Sequence, residues 1–131
     1  MFIELETGNI IIDGISFYKG YSFTEFKKTK FFKEQDGIRF IDLPKTKISN
    51  INFFVRLFWE KEILSVIDLS VEDKSIKCFE DEIKRKVIHD RILKKYGIKD
   101  GERYKWGTVE SYFDPIGCIS SILIKYDYSH Q

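Results

Sequence analysis

The chain has 131 residues, 43% of them hydrophobic and 16% aromatic, with 22 basic against 21 acidic side chains and a formal net charge of +1. This is one domain's length, able to bury a core without disulfide or metal staples and far from a disordered composition. Residues 1–66 carry ten basic and nine acidic side chains and residues 67–131 twelve of each, so no global field favours nucleic acid or an anionic membrane.

In chain order, Phe2–Leu5 and Ile10–Phe17 read as strands, separated at Thr7-Gly8-Asn9 and interrupted at Asp13-Gly14. Ser22-Phe23-Thr24-Glu25 has the form of a capping box and predicts a short helix over about 22–32, with Phe23, Phe26 and Phe31 on one face. Asp36-Gly37 turns the chain into a strand at Ile38–Leu43, which Pro44 is expected to stop. Ile51–Glu60 and Glu62–Ser70 are the longest strand-like runs. Ile51, Phe53, Val55, Leu57 and Trp59 alternate with Asn52, Phe54, Arg56 and Phe58, a second set apolar enough to suggest that both faces are covered. The turn joining these runs has no glycine, which leaves its type open.

Phe79–Tyr96 predicts the one long helix. Glu80, Asp81 and Glu82 open it, Lys94 and Lys95 close it, and Gly97 follows in the position of a C-terminal cap. The apolar stripe Phe79, Ile83, Val87 drifts to Ile88, Ile92, Tyr96, which suggests a wide face packed across a sheet. Asp81–Arg85 and Glu82–Lys86 are spaced for ion pairs along the helix. Hairpin connections dominate and no repeated βαβ unit occurs. The expected fold is a single α+β domain over 1–131, an antiparallel sheet with helix 79–96 on one face.

Asp114-Pro115-Ile116-Gly117 predicts a type I turn closed by a left-handed glycine, a three-residue loop in which Asp114 faces Cys118. That register sets Trp106 opposite Tyr126 and Tyr104 opposite Tyr128. Tyr104, Trp106, Tyr112, Ile122, Ile124 and Tyr126 then face the core. Val109, Phe113, Ile119 and Leu123 form an outward patch beside the turn.

Catalytic machinery is not evident. Ser120 and Ser121 lie mid-strand with no nucleophile-elbow motif, and Asp114 is accounted for by the turn. Cys78 and Cys118 read as small buried residues, with a single disulfide left open, and a nucleophilic Cys118 would need a thiolate-stabilising histidine, for which the sequence leaves the reach of His89 open. Two scattered cysteines and His89 and His130 do not make a zinc set, and no phosphate-binding glycine loop occurs, so neither metal nor cofactor is expected. His89 is expected at the sheet edge rather than as a general base. The N-terminal MFIELETGN lacks a signal-peptide pattern and no apolar run approaches the ~18 residues of a membrane span, so a cytoplasmic protein is expected. A small aromatic-rich domain of this kind suits protein recognition. Candidate contacts are Phe113, Ile116 and Ile119 near the hairpin turn and the acidic pair Glu60 and Glu62.

Lys94-Lys95-Tyr96-Gly97, Tyr104-x-Trp106-Gly107, Tyr112-x-Asp114-x-x-Gly117, and Ser120-Ser121 before the strand ending at Tyr126 resemble the C-terminal part of small bacterial immunity proteins. These belong to contact-dependent growth inhibition and related toxin systems. The resemblance covers roughly the last 40 residues. It implies a cytoplasmic, non-enzymatic, tight binder of a cognate toxin domain, commonly a nuclease, and transfers no site residues. The alternative is a small interaction domain unrelated to toxins.

Overall fold

A computed structural model describes residues 2–36 and 39–128. Strands β1 (Ile10–Ile12) and β2 (Ile15–Phe17) form a small hairpin across Asp13-Gly14. Helix α1 (Phe23–Phe26) follows. Then come β3 (Phe40–Ile48), β4 (Ile51–Glu60), β5 (Ile63–Val71), a 3-10 turn at Phe79–Asp81, helix α2 (Glu82–Lys95), β6 (Gly107–Asp114) and β7 (Ile119–Tyr126). The main sheet is wholly antiparallel in the order β3-β4-β5-β7-β6. The α+β architecture with a long helix on one sheet face is therefore as expected.

Several local expectations are corrected. Phe2–Leu5 is not a strand: only Glu4 bridges to Asn9, and the chain turns between them. The short helix spans four residues, not 22–32. The Ser22 hydroxyl accepts from the Glu25 amide at 3.1 Å, but Phe26, Thr29 and Phe32 are then linked by tight turns that carry Phe31 into the core. The Asp36-Gly37 turn and the start at Ile38 fall partly on residues 37–38, outside the described residues. Pro44 does not end β3, because that strand is at the sheet edge and the register shifts between Leu43 and Thr46, where no ladder N–H is needed. Both two-residue turns of the β3-β4-β5 meander, Ser49-Asn50 and Lys61-Glu62, have φ between 51° and 66°, the geometry of type I′ turns built here without glycine.

The largest correction concerns α2. Phe79, Ile83 and Val87 point outward, 76%, 53% and 43% exposed. The face turned to the sheet is Glu82, His89, Ile92 and Leu93, with Arg85, Lys86 and Tyr96 half-buried beside them. The first half of the helix docks through polar bonds instead of apolar packing. Arg85 Nε donates to the Val71 carbonyl at 3.1 Å and its Nη1 to Glu82 at 2.7 Å, while Lys86 Nζ donates to Ser111 Oγ at 3.1 Å and Asp90 at 2.6 Å. The helical ion pairs are thus Asp81–Lys84, Glu82–Arg85 and Lys86–Asp90. Gly97 caps the end as expected, with the Ile98 amide bonding the Leu93 carbonyl at 2.9 Å.

The β6–β7 hairpin is slipped by one residue. Asp114 pairs with Ile119 and Gly107 with Tyr126, leaving a four-residue loop. Asp114 Oδ1 accepts from the Ile116 amide at 3.0 Å, and Cys118, not Gly117, takes the left-handed conformation at φ 51°. Such a slip turns the side chains of one strand over. β7 keeps Ile122, Ile124 and Tyr126 in the core as expected, but β6 buries Val109 and Ser111 and exposes Tyr112. Trp106 precedes β6, yet its ring still lies 5.8 Å from Tyr126 and stacks on Tyr104 at 5.4 Å. Trp106 Nε1 donates to the Leu5 carbonyl and Tyr126 OH to the Gly8 carbonyl, both at 2.8 Å, fastening the N-terminal turn to the hairpin.

At Gly107, φ is 152° and a Cβ would sit 1.8 Å from the Lys125 carbonyl oxygen. At Gly117 the nearest obstacle is Asp114 Oδ2, 2.7 Å away on a side chain that can move. Gly107→Ala should therefore cost about 3 kcal/mol or more, Gly117→Ala about 1 kcal/mol or less, and Cys118→Gly should be neutral or stabilising by about 0.5 kcal/mol. Urea unfolding of the three variants checks the order.

Candidate functional site

Two places concentrate chemistry: the buried joint under α2 and the opposite face of the sheet. At the joint, His89 is fully buried. The Val71 amide donates to its Nε2 at 3.0 Å, so the proton lies on Nδ1, which donates to Ser120 Oγ at 3.3 Å. Ser70 Oγ donates to the Ser120 carbonyl at 3.1 Å. Burial, then the nearby Arg85 cation, pushes the His89 pKa down to about 3, with Asp90 opposing and Lys86 adding to the fall. A neutral imidazole with both nitrogens engaged and no solvent access holds the helix down and has no free nitrogen for base chemistry. His89 lies over β5 and β7, not at the sheet edge. Its partner is Ser120, while Cys118 Sγ lies 3.8 Å from the Pro115 carbonyl in the loop. Both cysteines are free, Cys78 exposed and Cys118 half-exposed, contrary to the expected burial, because each sits in a turn outside the core. Among the described residues no group of three or more His, Cys, Asp or Glu is placed to hold a metal ion, and no helix is long and apolar enough to cross a membrane.

The second place follows from coverage. α2 lies against β5, β7 and β6. The N-terminal segment and α1 cover the β4 side of the same face: Phe2 meets Phe53 at 5.8 Å and Trp59 sits among Phe23 and Phe26 at 5.3 and 5.4 Å. Among the described residues no element lies over the other face, so the expectation that both faces of β4 are covered is corrected. Cross-strand register arranges this open face in rows. Phe40, Phe58, Val66, Lys125 and Thr108 lie side by side from β3 to β6, and Asp42, Arg56, Asp68, Leu123 and Glu110 form the next row. Beyond them Phe54 adjoins Ser70, and Ser121 adjoins Tyr112. Phe40, Phe54, Tyr112 and Ile119 are substantially exposed.

The charges in the middle row are mostly self-paired. Arg56 makes a fork to Asp42 at 2.6 and 3.1 Å and lies 4.0 Å over the Phe40 ring. Lys125 pairs with Glu110 at 2.6 Å. Asp68 stands between these pairs, bonded to the Ser121 hydroxyl; burial raises its pKa against the opposing pull of that bond and of Arg56. A depression of about 440 Å³ opens here, lined by Asp42, Phe54, Arg56, Asp68, Ser70, Ile119 and Ser121.

The sheet edges are closed to strand addition. Along β6 the Gly101 amide donates to the Val109 carbonyl and the Ser111 amide to Asp100 Oδ1, both at 2.8 Å. β3 carries Pro44, Lys45, Lys47 and the bulge.

The structure separates the residues singled out from the sequence. Glu60 and Glu62 are exposed at the β4–β5 turn. The β6–β7 loop, with Ile116 95% exposed, lies at the other end of β5, roughly 25 Å away along its nine residues. Phe113 turns half-buried to the helix side, whereas Ile119 is on the open face, so the expected patch of Val109, Phe113, Ile119 and Leu123 does not form. Phe54 and Asp68 are not among the contacts expected from the sequence, and Tyr112 is expected there in the core. The signal for them was the second, mixed face of β4 and an aspartate set between Ile67 and Leu69. No family model matches the chain, and no curated protein or solved structure matches it.

His89 gives a pH prediction. Its folded pKa lies below the ordinary 6.5, so its contribution is fully present above pH 6.5 and is lost as pH falls toward about 3. Unfolding free energy should drop across that window by something on the order of 4 kcal/mol from this group. His89→Leu should lower stability at neutral pH, by orphaning the Val71 amide, and flatten the acid-side slope. Urea midpoints from pH 7 to pH 4 measure both.

Proposed function

We propose that this protein is a non-enzymatic binder that neutralises a cognate bacterial toxin domain in the cytoplasm by stoichiometric occlusion, using the open sheet face. The observation that carries the reading is that face: a full side of a five-stranded sheet, uncovered, with aromatic rings around an ordered row of charges. Exposed apolar surface of this kind, rimmed by polar groups, is what a recognition surface needs. Closed edges favour face-on docking over strand addition. The engaged nitrogens of His89 support a binder over an enzyme. Resemblance of the C-terminal third to immunity proteins supplies the toxin as partner.

Ile116 and Ile119 adjoin this face and belong to the proposed contact area. Glu60 and Glu62, at the far turn, act as rim charges, which influence encounter more than residence.

Co-expression with the C-terminal domain encoded by the neighbouring gene tests the reading. Growth should be restored, and titration of the toxin's activity should saturate at one equivalent. Phe54→Ser with Tyr112→Ser should weaken the complex by about 100-fold or more while leaving the circular dichroism unchanged. Charge reversal of Glu60 and Glu62 should slow association more than it speeds dissociation. Persistent growth inhibition despite abundant folded protein would remove the toxin and leave a binding domain of another kind.

A further inference from the structure

Resting on the reading of the open face as a binding surface, we infer that the depression at Asp68 receives an arginine side chain of the partner, its guanidinium stacked on Phe54 and bonded to the Asp68 carboxylate. The argument begins with what the depression offers. Both of its hydroxyl donors are already used. Ser70 Oγ donates to the Ser120 carbonyl, the Ser121 hydroxyl bonds Asp68, and Arg56 is forked onto Asp42. What remains, besides the uncommitted N–H groups of Arg56, are acceptor lone pairs on Asp68 and on Ser70 Oγ, beside the apolar walls of Phe54 and Ile119. A group with several donors, no acceptors and a flat apolar face fits such a place, and guanidinium is that group.

Charge counting points the same way. Across the face, Arg56 offsets Asp42 and Lys125 offsets Glu110, leaving Asp68 as the one uncompensated charge of its row. Any protein docked over it would strand a buried carboxylate unless it brought a cation.

The protein also builds the same arrangement once within itself. Arg56 lies over the Phe40 ring with its nitrogens on the carboxylate across the strand pair. An incoming arginine over Phe54, facing Asp68, repeats that pattern one row further along the sheet. The carboxylate is held at a cost to the free protein. Its raised pKa means that the ionised form is less favourable when folded, so stability from this group is present at low pH and lost as pH rises through its titration. An asparagine would avoid that cost.

The test uses the full chain and the probe peptide acetyl-Gly-Arg-Gly-amide, with the Glu-centred peptide as control, followed by NMR. Saturable shifts confined to residues around Phe54, Asp68, Ser70 and Ser121 are expected with the arginine peptide alone. Asp68→Asn should bind it about tenfold or more weakly while unfolding at higher urea than wild type, so a lost signal is not lost fold. Absence of saturable shifts, equal response to the Glu peptide, or undiminished binding by Asp68→Asn overturns the inference. The neighbour-encoded domain provides the second arm. If it binds wild type and Asp68→Arg equally well, the arginine seat is wrong and the binding surface stands. If it does not bind wild type at all, the toxin reading falls while the peptide arm still judges the seat.

Discussion

Val71, the last residue of β5, is held on both sides by one helix: its N–H donates to His89 Nε2 and its carbonyl accepts from Arg85 Nε. Most of the architecture depends on this joint. β5 is the central strand, and a helix pinned to its last residue by residues 85 and 89 has its rotation settled. Glu82, Arg85, Lys86 and His89 must face inward, and Phe79, Ile83 and Val87 must face out. Below the joint, Ile92 and Leu93 supply the apolar contact that the first turns lack. Buried polar groups that are fully satisfied fix one orientation among several that hydrophobic packing alone would tolerate.

From that orientation follows the distribution of surface. One helix, a short N-terminal hairpin and a single turn of α1 suffice to cover one face of five strands. Among the described residues nothing covers the opposite face, with its aromatic residues and its charge row. The molecule guards its edges with Pro44, the β3 bulge and the 99–104 loop, and leaves its face open. On the proposed reading this division is functional: strand addition is suppressed and docking is directed onto a flat, chemically patterned surface. The ridge of Phe79, Ile83 and Val87 is a second exposed apolar feature.

Much of the fold was legible because the signals were local. The β4–β5 alternation, the Asp13-Gly14 turn, the acidic start of the long helix and Gly97 after it each act within a few residues, and each reads correctly. What failed depended on distant partners. Periodicity put Phe79, Ile83 and Val87 inside because it cannot know that His89 finds an amide on β5. Turn statistics put the left-handed residue at Gly117, yet Cys118 takes it, and that single position moves β6 by one residue and turns Tyr112 outward. Pro44 was read as a stop because its place at the sheet edge is a tertiary fact. The open face was half legible: Phe54, Arg56 and Phe58 stood out as a mixed set, but only strand order places Asp68 beside Arg56 and Ser121 beside Tyr112.

The account's central claim is that the open sheet face, and not the helix ridge, is where the partner sits. Hydroxyl-radical footprinting of the side chains, free and bound to the neighbour-encoded domain, addresses it most directly. The account predicts that Phe40, Phe54, Phe58 and Tyr112 lose labelling in the complex while Phe79, Ile83 and Val87 are labelled as in the free protein. Protection of the helix ridge with unchanged labelling of Phe54 and Tyr112 would contradict it.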